Sequence, residues 1–206
     1  MNNHVLSPEA LRSLLHWQLE HRAEMLLYTL LQSHCGLRPE EAYRVIQAPH
    51  QYIIDDSHLY VPSQLAKFPR GRMVTLRASF RAWLDVVPAW TDPQSDLRPR
   101  DRNGQPLSPP YLRTALARQI RQFDPQKCGR DVLRRGWLRA CIAIGMALHE
   151  IAAETGLVLY NNQRRPDSYW TKTMAEMWFG IFPDPGGPPS PPTDSNEPDD
   201  STGGAS

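Results

Sequence analysis

The sequence predicts a mainly helical α+β domain that carries a small three-stranded antiparallel sheet. Two observations lead there. Apolar residues recur three and four apart over most of the chain, the period of a helix with one buried face. Only between Gln51 and Leu76 does the pattern turn strand-like, with short β-branched and aromatic runs. A third observation bounds the size: 206 residues make one domain of ordinary length with room for a real core.

The elements follow in chain order. Met1 to Leu6 is a loose end. Ser7-Pro8-Glu9 starts a helix with a hydroxyl cap, a proline in the first turn and an acid near the positive pole. Its apolar faces run from Leu11 to Leu31, with a break into two helices expected near His21. His34 to Leu37 is a turn, and Pro39 opens a helix over 40–46. Strands are expected at 52–54, 58–61 and 73–76, the first turn being Asp55-Asp56-Ser57. Ala78 to Val87 returns to helix with Phe80, Trp83, Leu84 and Val87 inward. The Pro- and Asp-rich stretch 87–110 is an exposed loop, and 111–123 a helix.

Gly129 to Gly156 then reads as one long helix. Leu133, Trp137, Cys141, Ile144, Leu148 and Ile151 form its core stripe. Asp131 is expected to cap its start and Gly156 to end it in a left-handed turn. Arg134, Arg135 and Arg139 ride its first turns beside the stripe. Residues 157–166 are a short connection. Ser168 caps a last helix, whose Met174, Met177, Trp178 and Ile181 pack back on the core. The domain is placed at 1–182, and 183–206 is read as a disordered acidic tail rich in Pro, Gly and Ser.

Charge is unevenly placed. The chain holds 23 Lys and Arg against 22 Asp and Glu, a net +1. The tail contributes five acids and no base, so its removal leaves 23 bases against 17 acids, or +6. Residues 67–139 hold 16 bases against 6 acids, or +10, the footprint of a surface for a polyanion. Lysine is scarce, with only Lys67, Lys127 and Lys172 beside 20 arginines. The three cysteines, at 35, 128 and 141, form no CxxC and read as reduced thiols of a cytoplasmic protein. No signal peptide and no membrane-spanning apolar run is evident. His149-Glu150 lacks the second histidine of a zinc-protease helix, because position 153 is Ala. No Gly-rich phosphate loop and no metal-ligand spacing is present, so no metal or cofactor is expected.

Several short patterns occur in a telling order: GLRPEEA at 36–42, LYVPSQLAKFPRGRMVTL at 59–76, ASFRAWL, DVLRR heading the long helix, and a last helix ending WFGI. Together they resemble the catalytic domain of the tyrosine recombinases, the phage-integrase family, from about Ser7 to Pro183. The resemblance implies that family's fold and its metal-free chemistry. Two arginines and a lysine surround a DNA phosphate, and a tyrosine attacks the phosphorus to form a 3′-phosphotyrosine. Guanidiniums suit charge that develops on the non-bridging oxygens. A lysine can protonate the leaving oxygen, and the tyrosine link preserves bond energy for rejoining. By resemblance Arg38 is the first arginine, with Glu41 orienting it. Lys67 is the hairpin lysine, Arg134 the second arginine and Tyr169 the nucleophile. Arg70, Arg72, Arg130, Arg135, Arg139, Arg164 and Arg165 supply the surrounding DNA contacts.

Three positions depart from the family pattern. Asp131 stands where a histidine commonly precedes the second arginine by three residues. Leu157 follows Gly156 where the family has His. Nine residues beyond lies Pro166, so Tyr169 needs a three-residue insertion, and Tyr160 lies six residues before Pro166. The expectation is a DNA-binding relative that holds a phosphate but cuts poorly or not at all. Its partners would be double-stranded DNA and a further recombinase subunit or second copy. The alternatives are an active recombinase using Tyr169, and a helical protein-interaction module without DNA activity. The helical arm that precedes the family's catalytic domain is not seen before Ser7, so DNA binding is expected to be weak and strongly salt-dependent. Because Arg134 is placed beside the stripe, Arg134→Ala is expected to weaken DNA binding with little loss of stability.

Overall fold

The computed structural model describes residues 5–66, 70–87, 90, 92, 98–101, 103–126, 131–156 and 170–183. Helix α1 (Pro8–His21) starts where Ser7 Oγ accepts the Ala10 N–H at 3.1 Å. It ends at Arg22, whose extended φ of −149° breaks it from α2 (Ala23–Ser33) at the place the sequence indicates. Then follow α3 (Pro39–Val45), a 3₁₀ turn (Pro49–Gln51), and the strands β1 (Ile53–Asp55), β2 (His58–Val61) and β3 (Arg72–Thr75). Helices α4 (Ala78–Val86), α5 (Pro109–Phe123), α6 (Val132–Ala143), α7 (Leu148–Thr155) and α8 (Lys172–Phe179) complete the described elements.

The sheet is an antiparallel meander in the order β1-β2-β3, with Leu59 opposite Val74 and Tyr60 opposite Met73. Leu59, Val61 and Val74 face inward, while Tyr60 and Met73 face out. Arg72 shares the inward face of β3 with Val74, as period two requires. The core lies between α1, α2, α6 and α8, with β3 covered by α7. Two indoles fasten the last helix to it. Trp178 Nε1 donates to the Ser33 carbonyl at 2.8 Å, and Trp83 Nε1 to the Ile181 carbonyl at 2.9 Å. In both, the partner is backbone at or just beyond an element end.

The structure corrects several sequence expectations. Val5 and Leu6, read as part of a loose end, are buried in the core, and Trp90 and Leu107 are buried within the stretch read as an exposed loop. The long helix is two helices, α6 and α7, parted at Ile144 to Ala147 with Gly145 at φ +84°. The apolar stripe stays in phase across the break, which is why spacing alone does not reveal it. Asp131 is itself left-handed, φ 62°, and makes no side-chain cap. Thr171, rather than Ser168, caps α8, accepting the Met174 N–H at 3.2 Å. Met177 is exposed, and Ala175 takes the buried position beside Trp178. The acidic tail, Ser168 and the 157–169 connection lie outside the described residues, apart from Pro183.

Candidate nucleic-acid interface

The turn at 34–37 is the foundation. Gly36 has φ +63°, and a Cβ there would lie 2.7 Å from the Trp137 ring of α6. Only glycine fits both the left-handed backbone and that contact. The turn delivers Arg38 to the N-terminus of α3, where Pro39 takes the first helical position. Glu41 Oε2 accepts the Arg38 backbone N–H at 2.9 Å, half of a capping box. Glu41 therefore orients Arg38 through its backbone.

Arg134, one turn before Trp137 on α6, reaches the same turn. Its Nε donates to the Gly36 carbonyl at 2.8 Å and one Nη2 proton to the Thr155 carbonyl at 3.2 Å. Arg134 is only 9% exposed. The expectation that it sits beside the core is thus corrected: it is part of the packing between α6, the turn and α7. Gly36 and Arg38 are two residues apart, so the two arginines are joined through at most about 7 Å of backbone. Burial pulls the Arg134 guanidinium down from 12.5 to about 10; the Arg38 charge adds to the drop, and the Glu41 and Asp131 carboxylates oppose it. It stays cationic at neutral pH. Among the described residues neither the Arg38 guanidinium nor Arg134 Nη1 has a hydrogen-bond partner in the protein.

Arg72, expected among the surrounding basic residues, is buried in the structure. It is 8% exposed, and its Nη1 and Nη2 donate to the two Glu41 oxygens at 3.1 and 2.7 Å. Its Nε donates to the Glu154 carbonyl at 2.8 Å. That fork is bonded within the protein rather than open to solvent. The signal was present: Arg72, Val74 and Leu76 alternate on the core side of the strand. The C-terminus of α7 is thereby held by two guanidiniums, at Glu154 and Thr155, where helix carbonyls lack helical partners. Gly156 then ends α7 at φ 64°, as expected.

Arg77 lies nearby but faces elsewhere. It stacks 4.0 Å above the Phe179 ring and donates to Cys141 Sγ at 3.5 Å. Burial pushes the Cys141 thiol up to about 12 and raises Cys35 further, so neither offers a thiolate. Of the other expected contacts, Arg70 and Arg135 are exposed and Arg139 is half-buried. Lys67, Arg130, Arg164, Arg165, Tyr160 and Tyr169 lie outside the described residues. Among the described residues no group of three His, Cys, Asp or Glu is placed to hold a metal ion. None of the described helices is long and apolar enough to cross a membrane.

No protein-family model matches the sequence, and no curated protein matches it. Solved structures do match the backbone. XerA recombinase superposes with a TM-score of 0.50 at 14% identity, over 85% of this chain and 60% of that one. XerH site-specific recombinase, solved bound to its difH substrate in a pre-cleavage complex, gives 0.50 at 16% identity, over 86% and 50%. The chain thus spans 50 to 60% of the length of these structures. Eight described helices and a three-stranded meander, with 85 to 86% of the chain matched, give it the catalytic-domain fold of the tyrosine recombinases.

Proposed function

We propose that the chain binds double-stranded DNA, holding a backbone phosphate between Arg38 and Arg134 with Lys67 from the β2–β3 connection. The observation that carries this reading is the pair of neighbouring guanidiniums with unmatched donors. Arg134 is fixed by two backbone carbonyls, and its remaining Nη1 has no protein acceptor among the described residues. Two cations held side by side repel, and a phosphodiester relieves that repulsion while accepting from both. Arg70, Arg130, Arg135, Arg139, Arg164 and Arg165 supply the electrostatic surroundings. The fold supports the reading, since its neighbours are recombinases and XerH is described with its DNA substrate.

Within this reading the site is impaired as a cutter. Asp131 supplies a carboxylate beside Arg134 where the family has an imidazole, and Leu157 carries no proton to move. The second reading, an active recombinase with Tyr169 as nucleophile, draws on the same two arginines. Incubation with a nicked duplex separates them. Binding that weakens steeply with salt and leaves no covalent adduct supports the proposal. An adduct that disappears in Tyr169→Phe establishes the active enzyme. No binding even at low salt overturns both and leaves the protein-interaction module.

A further inference from the structure

We infer that Arg72 is a positioning residue: through Glu41 and the end of α7 it sets the spacing of the Arg38 and Arg134 guanidiniums, and it makes no contact with DNA. The second clause rests on the DNA reading; the first stands without it.

Guanidinium is planar and rigid, with five N–H donors in fixed directions. In Arg72 the two Nη donors hold the Glu41 carboxylate and Nε holds the Glu154 carbonyl. The separation between α3 and α7 is therefore set by the width of one side chain. The bonds then close on themselves. Arg38 is tied by its N–H to Glu41, Glu41 to Arg72, and Arg72 to Glu154. Thr155, the next residue, is tied to Arg134, and Arg134 to Gly36, two residues before Arg38. Every link has one or both ends in the interior: Glu41 is 1% exposed, and Thr155 is buried. A closed ring of short bonds fixes the spacing of Arg38 and Arg134 better than either anchor does alone. Gly156, the last residue before the 157–169 stretch that carries Tyr160 and Tyr169, sits directly on this ring. A Cβ there would be 3.4 Å from Arg72 Nη1.

The test uses the full chain and the variants Arg72→Met, Arg72→Lys and Arg38→Ala, each checked for folding by thermal unfolding. Amide hydrogen exchange is followed at Arg38 and through the last turn of α7. DNA affinity is measured across a salt series. The expected result is faster exchange at both places together in Arg72→Met and Arg72→Lys, because a point-charge lysine cannot span both acceptors. Affinity for DNA should fall at least about tenfold, with the slope of log affinity against log salt unchanged in Arg72→Met, whereas Arg38→Ala lowers that slope by about one. Exchange that quickens at one end only, or full rescue by Arg72→Lys, overturns the coupling. A slope reduced by about one in Arg72→Met shows a direct phosphate contact and overturns the positioning role. Should Arg72→Met fail to fold, Arg72→Lys carries the exchange and affinity arms. If the unaltered protein binds no DNA, the DNA reading fails and exchange alone decides the coupling.

Discussion

Arg134 Nε donates to the carbonyl of Gly36 at 2.8 Å across 98 residues of sequence. That bond joins the start of α6 to the turn that presents Arg38, so the packing of α6 also holds that turn in place.

Arg134→Ala should therefore destabilise the protein, contrary to what helical spacing alone implies. It leaves the Gly36 and Thr155 carbonyls without their donors and opens a gap in a packed interface. The expected loss is about 2–4 kcal/mol. Denaturant unfolding measures it, and an unchanged midpoint would show that the guanidinium anchors nothing.

Gly36→Ala should fail for two separate reasons. The left-handed backbone costs a non-glycine residue about 1 kcal/mol, and the new methyl meets the Trp137 ring, adding about 1–3 kcal/mol. Pairing it with Trp137→Leu removes the collision but not the backbone cost. Measured against Trp137→Leu alone, which carries its own packing loss, an undiminished cost of Gly36→Ala would place the whole penalty in the backbone.

His34 makes stability depend on pH. It is fully buried, its Nδ1 lies 2.9 Å from Ser33 Oγ, and its Nε2 has no partner among the described residues. Burial, with Arg77 nearby, lowers it from 6.5 to about 3. Between those values the unfolded chain holds the extra proton, so acid favours unfolding. The contribution is complete above about pH 6.5 and is lost toward pH 3 by at most about 1.4 kcal/mol per pH unit. His34→Asn should lose less stability than the unaltered protein between pH 6.5 and 4.5. Parallel curves for the two would remove His34 as the cause.

Asp131→Asn should tighten DNA binding. The carboxylate lies close enough to Arg134 to hold its charge up, and on the proposed reading it would repel the phosphate held there. Asparagine tolerates the same left-handed backbone, and no cap bond is lost, so stability should barely move. Removal of one facing charge should raise affinity roughly three- to tenfold at low salt. Equal affinity for both proteins would place Asp131 away from the bound strand.

How much of this was legible in the sequence can be traced residue by residue. The helix starts at Pro8 and Pro39, the break after His21 and the meander all announce themselves through caps, prolines and a change of period. Arg38 and Arg134 are singled out by the order of short motifs; in the structure Arg134 bonds the Gly36 carbonyl, two residues before Arg38. Two things escape. Gly145 divides α6 from α7 without disturbing the apolar register, so periodicity sees one helix. Arg72 reads as a surface cation because arginine usually is one; only Val74 and Leu76, alternating with it, point it inward. Its partner Glu41 lies 31 residues earlier, and no local pattern links them.

The unmatched guanidinium pair ties ligand occupancy to cohesion. On the proposed reading, a polyanion bound between Arg38 and Arg134 relieves a repulsion the apoprotein carries, and by mass action it raises the melting temperature as its concentration exceeds its dissociation constant. Heparin or inorganic sulfate, neither bearing a base sequence, should steady this fold for the same electrostatic reason that DNA does.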